Sequence, residues 1–193
     1  MGKAKTLLIL IIIVALIAGA WFWLFQKPSL RDENSKLKQV WVGEGINIEN
    51  PQNNFNELLK YSSGKLETAS QKIIEFSEKA SNPEIRLAGK YYSGFFEVGK
   101  KIKDLENIDK QLSTAEACDS LPKYEEYNQI SEEIPNLMNE INAAALELQE
   151  ISPEFSKENN INETGPELKT YSEGLSKQTL LLESLQKACG AKT

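Results

Sequence analysis

From Leu7 to Phe25 no position carries a charge or a strongly polar side chain, whereas beyond Asn50 apolar positions recur every three or four residues. Between these two regimes neither pattern holds. The first predicts a membrane helix: 19 residues at about 1.5 Å of rise each give roughly 28 Å, the thickness of a bilayer's hydrocarbon core. Lys3 and Lys5 precede the run, and Trp21 and Trp23 fall where an aromatic belt sits at the far interface. Ala18-Gly19-Ala20 fits a signal-peptidase site, but cleavage there leaves WFWLF at an exposed N-terminus. Five large apolar residues in water favour the retained anchor.

The second regime predicts helices. Leu66, Ala69, Ile73, Phe76 and Ala80 step by three and four along one helix face. Asn82-Pro83 supplies an N-cap and a proline at the first position of the next helix. That helix carries Ala88, Tyr92, Phe95, Gly99 and Ile102 on one face, with Tyr91 and Phe96 alongside, and the stepping resumes through Leu105, Ile108, Leu112 and Ala115. Gly89, Gly94 and Gly99 each cost about 1 kcal/mol relative to alanine in a helix. Their helical spacing predicts that another helix approaches closely there.

Ser120-Leu121-Pro122 opens a third helix with the strictest register in the chain: Tyr127, Ile130, Ile134, Leu137, Ile141, Ala144, Leu148 and Ile151. Pro135 inside it predicts a kink, and Ser152-Pro153 its end. SKENNINETG, Ser156 to Gly165, reads as an exposed loop. Pro166 then opens a last helix with Leu168, Tyr171, Leu175, Leu182, Leu185 and Cys189 in heptad-like register. The expected fold is all-α: an N-terminal transmembrane helix plus an antiparallel bundle or stacked hairpins of roughly three to five amphipathic helices. Residues 1–25 form the anchor, 26–50 a stalk with a short strand or arm in VWVGEGINI, and 51–193 a helical extracytoplasmic domain.

Two short stretches resemble known families. Lys65 to Tyr92 resembles the end of one tetratricopeptide-type repeat and the start of the next, through Ala69, Pro83, Ala88 and Tyr92. The spacing from Ala69 to Pro83 is about two residues longer than in that repeat, and no second copy recurs at a fixed period. IPNLMNEI, Ile134 to Ile141, is similar to a motif of the LemA family, small proteins with an N-terminal spanning helix and a helical bundle. There the motif closely follows the membrane helix and paired arginines; here it lies far downstream with no arginine nearby. No role carries over from either likeness.

Composition narrows the chemistry. The chain has 193 residues, a formal charge of −6 and no histidine. Ser-His-Asp and Cys-His nucleophiles, Glu-x-x-His di-iron sites and histidine-ligated zinc or haem are therefore closed to it. Gly43 and Gly45 belong to neither G-x-G-x-x-G nor a P-loop. The acidic balance and the lack of a basic stripe speak against nucleic acid. Glu125-Glu126, Glu132-Glu133 and Glu147 with Glu150 read as solvated helix faces rather than a metal or acid–base site. No cofactor, metal or catalytic residue is expected.

Cys118 and Cys189 are the only cysteines, and in an exported chain they suggest a disulfide. Counting Lys and Arg does not place the C-terminal part outside, because Lys27, Arg31, Lys36 and Lys38 follow the helix. Large domains translocate largely regardless of such charges, so an extracytoplasmic domain is expected. Asn162-Glu163-Thr164 matches the N-glycosylation pattern. Trp41, Tyr91, Tyr92, Phe95 and Phe96 are the candidate interaction surface. These features predict a non-enzymatic, single-pass scaffold or interaction module of the cell envelope. It would meet lipid through residues 7–25 and another protein, or a second copy of itself, through its helices. The alternative is a structural subunit assembled through the apolar helix.

Overall fold

The two stretches with the longest helical stepping form the two longest helices, Pro83–Leu112 and Leu121–Ile151. The computed structural model describes residues 28–112, 118, 120–164, 187 and 189. Among these, every regular element is helical: α1 (Leu30–Gly43), α2 (Phe55–Leu58), α3 (Ser63–Glu78), α4 (Pro83–Leu112), α5 (Leu121–Ile151) and α6 (Pro153–Glu158). The all-α bundle is thus as expected. The apolar run 7–25 and most of the expected helix after Pro166 lie outside the described residues. No helix among the described residues is long and apolar enough to cross a membrane.

α4 is the central element, packed against α3 on one side and α5 on the other. Its apolar residues therefore point in several directions. Ile85, Ala88, Tyr91, Tyr92, Phe95, Phe96 and Val98 are all fully buried, and each large side chain removed from water contributes about 1.5–3 kcal/mol. The expected starts hold: α4 begins at Pro83 and α5 at Leu121, with Pro122 in its first turn. α5 continues past Pro135 to Ile151.

Glycines set the spacing on both flanks of α4. A Cβ at Gly89 would come within 3.0 Å of the Ser77 side chain on α3, and one at Gly94 within 3.0 Å of Ile141 on α5. The helices approach here because no side chain intervenes. Ser70 Oγ donates to Ser93 O (3.2 Å) and Ser63 Oγ to Asp104 Oδ1 (2.6 Å), fixing α3 antiparallel to α4. Lys101 pairs with Glu133 at 2.5 Å, joining α4 to α5.

The stalk expected over residues 26–50 is corrected. Residues 30–43 form α1, Ser29 caps it by accepting from Asp32 N–H (3.1 Å), and Leu37 and Trp41 are fully buried. The physical reason is an apolar stripe, Leu30, Leu37 and Trp41, that fits the bundle. No strand forms in VWVGEGINI: Gly45 adopts φ +71° just after the helix, a left-handed conformation that glycine takes without steric cost. Ile46 and Ile48 then run back over the core.

One carboxylate locks α1 to the bundle. Glu33, 5 % exposed, accepts from Ser81 N–H (2.9 Å), Asn82 N–H (3.0 Å) and Asn82 Nδ2 (2.7 Å). These donors stand at the N-terminus of α4, where backbone N–H groups lack helical partners and a negative charge is favoured. Burial alone would raise the Glu33 pKa; the hydrogen bonds from Ser81 and Asn82 and the charge of Lys36 outweigh it and lower the pKa.

The exposed loop expected at 156–165 holds in part: Lys157, Glu158, Asn160, Asn162 and Glu163 are exposed, but residues 156–158 belong to α6 and three positions turn inward. Ser156 and Asn159 are buried, and Ile161 is 1 % exposed. Asn159 accepts from Asn34 Nδ2 at its side chain (2.8 Å) and from Asn50 Nδ2 at its carbonyl (2.9 Å). Thr164 N–H reaches Asn142 Oδ1 (2.7 Å). Asn159 and Asn50 are buried because their amides found partners, whereas the Ser156 hydroxyl and Asn34 Oδ1 are buried without one.

Candidate functional site

The two faces of α4 not taken by α3 and α5 differ. On one, the Trp41 ring lies tilted at 5.3 Å from Tyr92 and 5.9 Å from Phe96, and Phe95 meets Tyr91 at 5.1 Å and Phe55 at 6.3 Å. Trp41 Nε1 donates to Ile48 O (2.9 Å). The Tyr91 hydroxyl lies against Gln52 Oε1 and Asn162 O (3.0 Å). The five aromatics expected as an interaction surface, Trp41, Tyr91, Tyr92, Phe95 and Phe96, are therefore core: all are 0 % exposed. The reason is that α1 and the chain following it cover this face. Burial raises the pKa of both Tyr91 and Tyr92 above the ordinary phenol value, so neither phenolate forms near neutral pH.

On the opposite face α3 and α5 stand apart as two walls, and the floor of α4 is open between them. The resulting groove has a volume of about 620 Å³, within the range of about 300–1,000 Å³ for sites that receive a ligand. It owes its depth to small side chains: Ser70 and Ser77 from α3, Gly94 from α4, and Ala143 and Ala144 from α5. Ile74, Leu87, Leu137 and Ile141 supply apolar surface, and Ile74 is 41 % exposed. The serines are already engaged, Ser77 Oγ donating to Ile74 O (2.9 Å) and Ser93 Oγ to Lys90 O (3.1 Å).

The rim is charged, with Glu78, Glu97, Glu140 and Glu147 against Arg86 and Lys90. Glu97 lies 3.6 Å from Lys100, which also bonds Glu67 at 3.0 Å. Burial would lower the Lys100 pKa, but the Glu67 hydrogen bond and the charges of Glu97, Glu67 and Asp104 raise it. Arg86 Nη1 donates to Ala80 O (2.8 Å) and so helps close the end of α3. A second cleft, beside Pro28, mixes Lys36, Lys72 and Lys79 with Glu33 and Glu75. Its Glu33 is committed to the α4 N-terminus, and Lys72 pairs with Glu44 at 2.5 Å.

Sequence reasoning missed the groove. The one signal was the pair of small residues Gly89 and Gly94, five apart and so on different sides of the helix, and it marked close packing on each flank rather than the opening between them. Among the described residues no group of His, Cys, Asp and Glu side chains is placed to hold a metal ion.

Cys118 and Cys189 form the expected disulfide, with Cα atoms 5.7 Å apart. It lies ahead of α5, apart from the groove residues. Asn162 is exposed, and its Nδ2 donates to Asn160 O (3.3 Å); the sequon thus sits at the surface beside Tyr91's hydroxyl. No protein-family model, curated protein or solved structure matches this chain significantly.

Proposed function

We propose that the chain is a single-pass, membrane-anchored helical module of the cell envelope that holds a partner protein and catalyses no reaction. The observation that carries this reading is the open groove over α4. On the opposite side large aromatic side chains seal the helix, yet here small residues leave a cavity with apolar walls and a charged rim. Binding grooves combine an apolar interior with a few polar groups at the edge. The membrane assignment rests on the 19 apolar residues from Leu7 to Phe25. α1, locked to the bundle through Glu33, would hold the domain close to that segment without a long flexible stalk. The disulfide supports an oxidising compartment, hence a domain outside the cytoplasm.

Membranes from the native cell, treated with a short cross-linker and solubilised in mild detergent, test this. The expected result is a chain that resists alkaline extraction, is digested by protease added outside, and co-purifies with the same protein in repeated preparations. Release by alkaline extraction, or a monomer that returns no reproducible partner, overturns the reading.

A further inference from the structure

The groove's dimensions and charges restrict what can lie in it. Its α5 wall extends from Leu137 to Glu147, which at about 1.5 Å per residue is a trough of roughly 15 Å, or close to three helical turns. The trough is flanked by two helices and floored by a third. That is the shape into which an amphipathic helix lays its apolar stripe, with contacts at i, i+3, i+4 and i+7. The small side chains of Ala143 and Ala144 on the α5 wall give its side chains room.

The charges select among such helices. On the α5 wall Glu140 and Glu147 are both exposed and stand seven residues apart, hence two turns along one line. No hydrogen bond or ion pair engages either carboxylate among the described residues, and the α5 wall carries no base in the groove. Glu78 stands at the end of the α3 wall. Both bases belong to α4, and Arg86 is turned toward Ala80 O. Because Gly94 meets Ile141 and Gly89 meets Ser77, the α4 bases share one end of the trough with Glu78 and Glu147. Glu140 stands toward the other end with Glu97.

We infer that the groove receives an amphipathic helix of a partner protein, whose basic flank carries Lys or Arg seven residues apart opposite Glu140 and Glu147. This rests on the interaction-module reading and specifies the partner. Apolar contacts supply most of the affinity, while charge pairs of this exposed kind set orientation and exclude wrong partners.

The test uses the full chain in phosphatidylcholine nanodiscs and two fluorescein-labelled 18-residue helical peptides. Both carry leucine at i, i+3, i+4 and i+7; one has lysine and the other glutamate at heptad spacing on the flank. After subtraction of binding to empty nanodiscs, the lysine peptide should bind at least about tenfold more tightly than the glutamate peptide. Glu140→Lys with Glu147→Lys should reverse that preference. Ala143→Trp, at an exposed groove position, should abolish binding of both with the helical circular dichroism unchanged. Equal affinity for the two peptides overturns the proposal. So does lysine-peptide binding that survives either the double charge reversal or Ala143→Trp. A chain dimer dispersed by Ala143→Trp in place of peptide binding, or displacement by a fatty acid alone, also overturns it.

Failure here is separable from failure of the broader reading. A native partner retained by wild type and by Glu140→Lys/Glu147→Lys alike leaves the module standing and removes the groove. Peptide preference as expected, with no partner in native membranes, removes the module and keeps the groove's selectivity.

Discussion

The two sides of α4 not taken by α3 and α5 follow different rules. On the side covered by α1, Tyr91, Tyr92, Phe95 and Phe96 interlock with Trp41 and Phe55, leaving no surface. On the groove side the same helix presents Lys90, Gly94 and Glu97 between walls of serine and alanine. A helix needs only one apolar stripe to be held in a bundle. α4 has a wider one because three neighbours share it, and on the remaining side Lys90 and Glu97 stand at the groove's rim, without a large apolar side chain between them. Stability and recognition are thus placed on opposite sides of one helix, and substitutions should separate them.

The largest effect belongs to the sealed side. Trp41→Ala removes two aromatic contacts and the indole bond to Ile48 O. It should cost about 3–5 kcal/mol, as large-to-small aromatic substitutions do in cores, read as a lower urea midpoint of the full chain. A loss under 1 kcal/mol would mean that α1 contributes little to the fold, and the stalk reading would return.

Next comes Glu33, which joins the sealed side to the start of α4. Glu33→Gln places an amide N–H₂ where Ser81 and Asn82 N–H groups need an acceptor. Loss of charge-assisted hydrogen bonds of this kind costs about 1.5–3 kcal/mol. The pH dependence has a definite sign. The folded-state pKa lies below its ordinary value of 4.5, so the stabilisation is fully present above that value and is lost as pH falls through the folded pKa. Urea midpoints taken downward from neutral pH should show the advantage of wild type over Glu33→Gln shrinking only below pH 4.5. An advantage unchanged to lower pH would separate Glu33's role from its charge.

Gly94 tests the boundary between the two sides. Gly94→Ala gains about 1 kcal/mol of helix propensity but drives a methyl group into Ile141, and overpacking costs about 1–3 kcal/mol. The net change should be destabilising by up to about 2 kcal/mol, the difference of those two ranges. Gly64→Ala is the control: a Cβ at Gly64 meets nothing within 4 Å, so it should stabilise by about 0.4–1 kcal/mol. Equal thermal shifts for both would show that α4 and α5 separate readily beneath the groove.

How much of this was readable depends on the range of the interactions. Ala88, Tyr92, Phe95 and Ile102 announce α4, and Tyr127, Ile134, Ile141 and Leu148 announce α5, because a helix face is encoded at spacings of three and four. The burial of Met138 and Ala145 escaped a single-stripe reading, which follows one line along a helix that touches more than one neighbour. α1 is encoded in Leu30, Leu37 and Trp41, but Pro28, Gly43, Gly45 and the mixed charges around them read as a linker. The burial of Asn159 and Ile161 was not legible. It depends on Asn159 meeting Asn34 and Asn50, partners 125 and 109 residues away, and isolated asparagines carry no trace of such pairing. Nor was the groove: it exists where no described element bridges α3 and α5, a property of topology that no local pattern encodes.

The smallest expected effect sharpens the comparison most. Tyr92 is fully buried, yet its hydroxyl has no hydrogen-bond partner, unlike Tyr91 beside it, which reaches Gln52 and Asn162. An unsatisfied buried hydroxyl carries its desolvation cost with no return. Tyr92→Phe keeps the ring contacts with Trp41 and Tyr91 and should leave stability unchanged or raise it by up to about 1 kcal/mol. Tyr91→Phe, which removes the hydroxyl bonded to Gln52 and residue 162, should lower it by about 1 kcal/mol. If the sealed side is held by ring packing, the two substitutions differ in sign in a urea titration. If both lower the midpoint equally, the Tyr92 hydroxyl has a partner in solution, and the sealed side opens at that point.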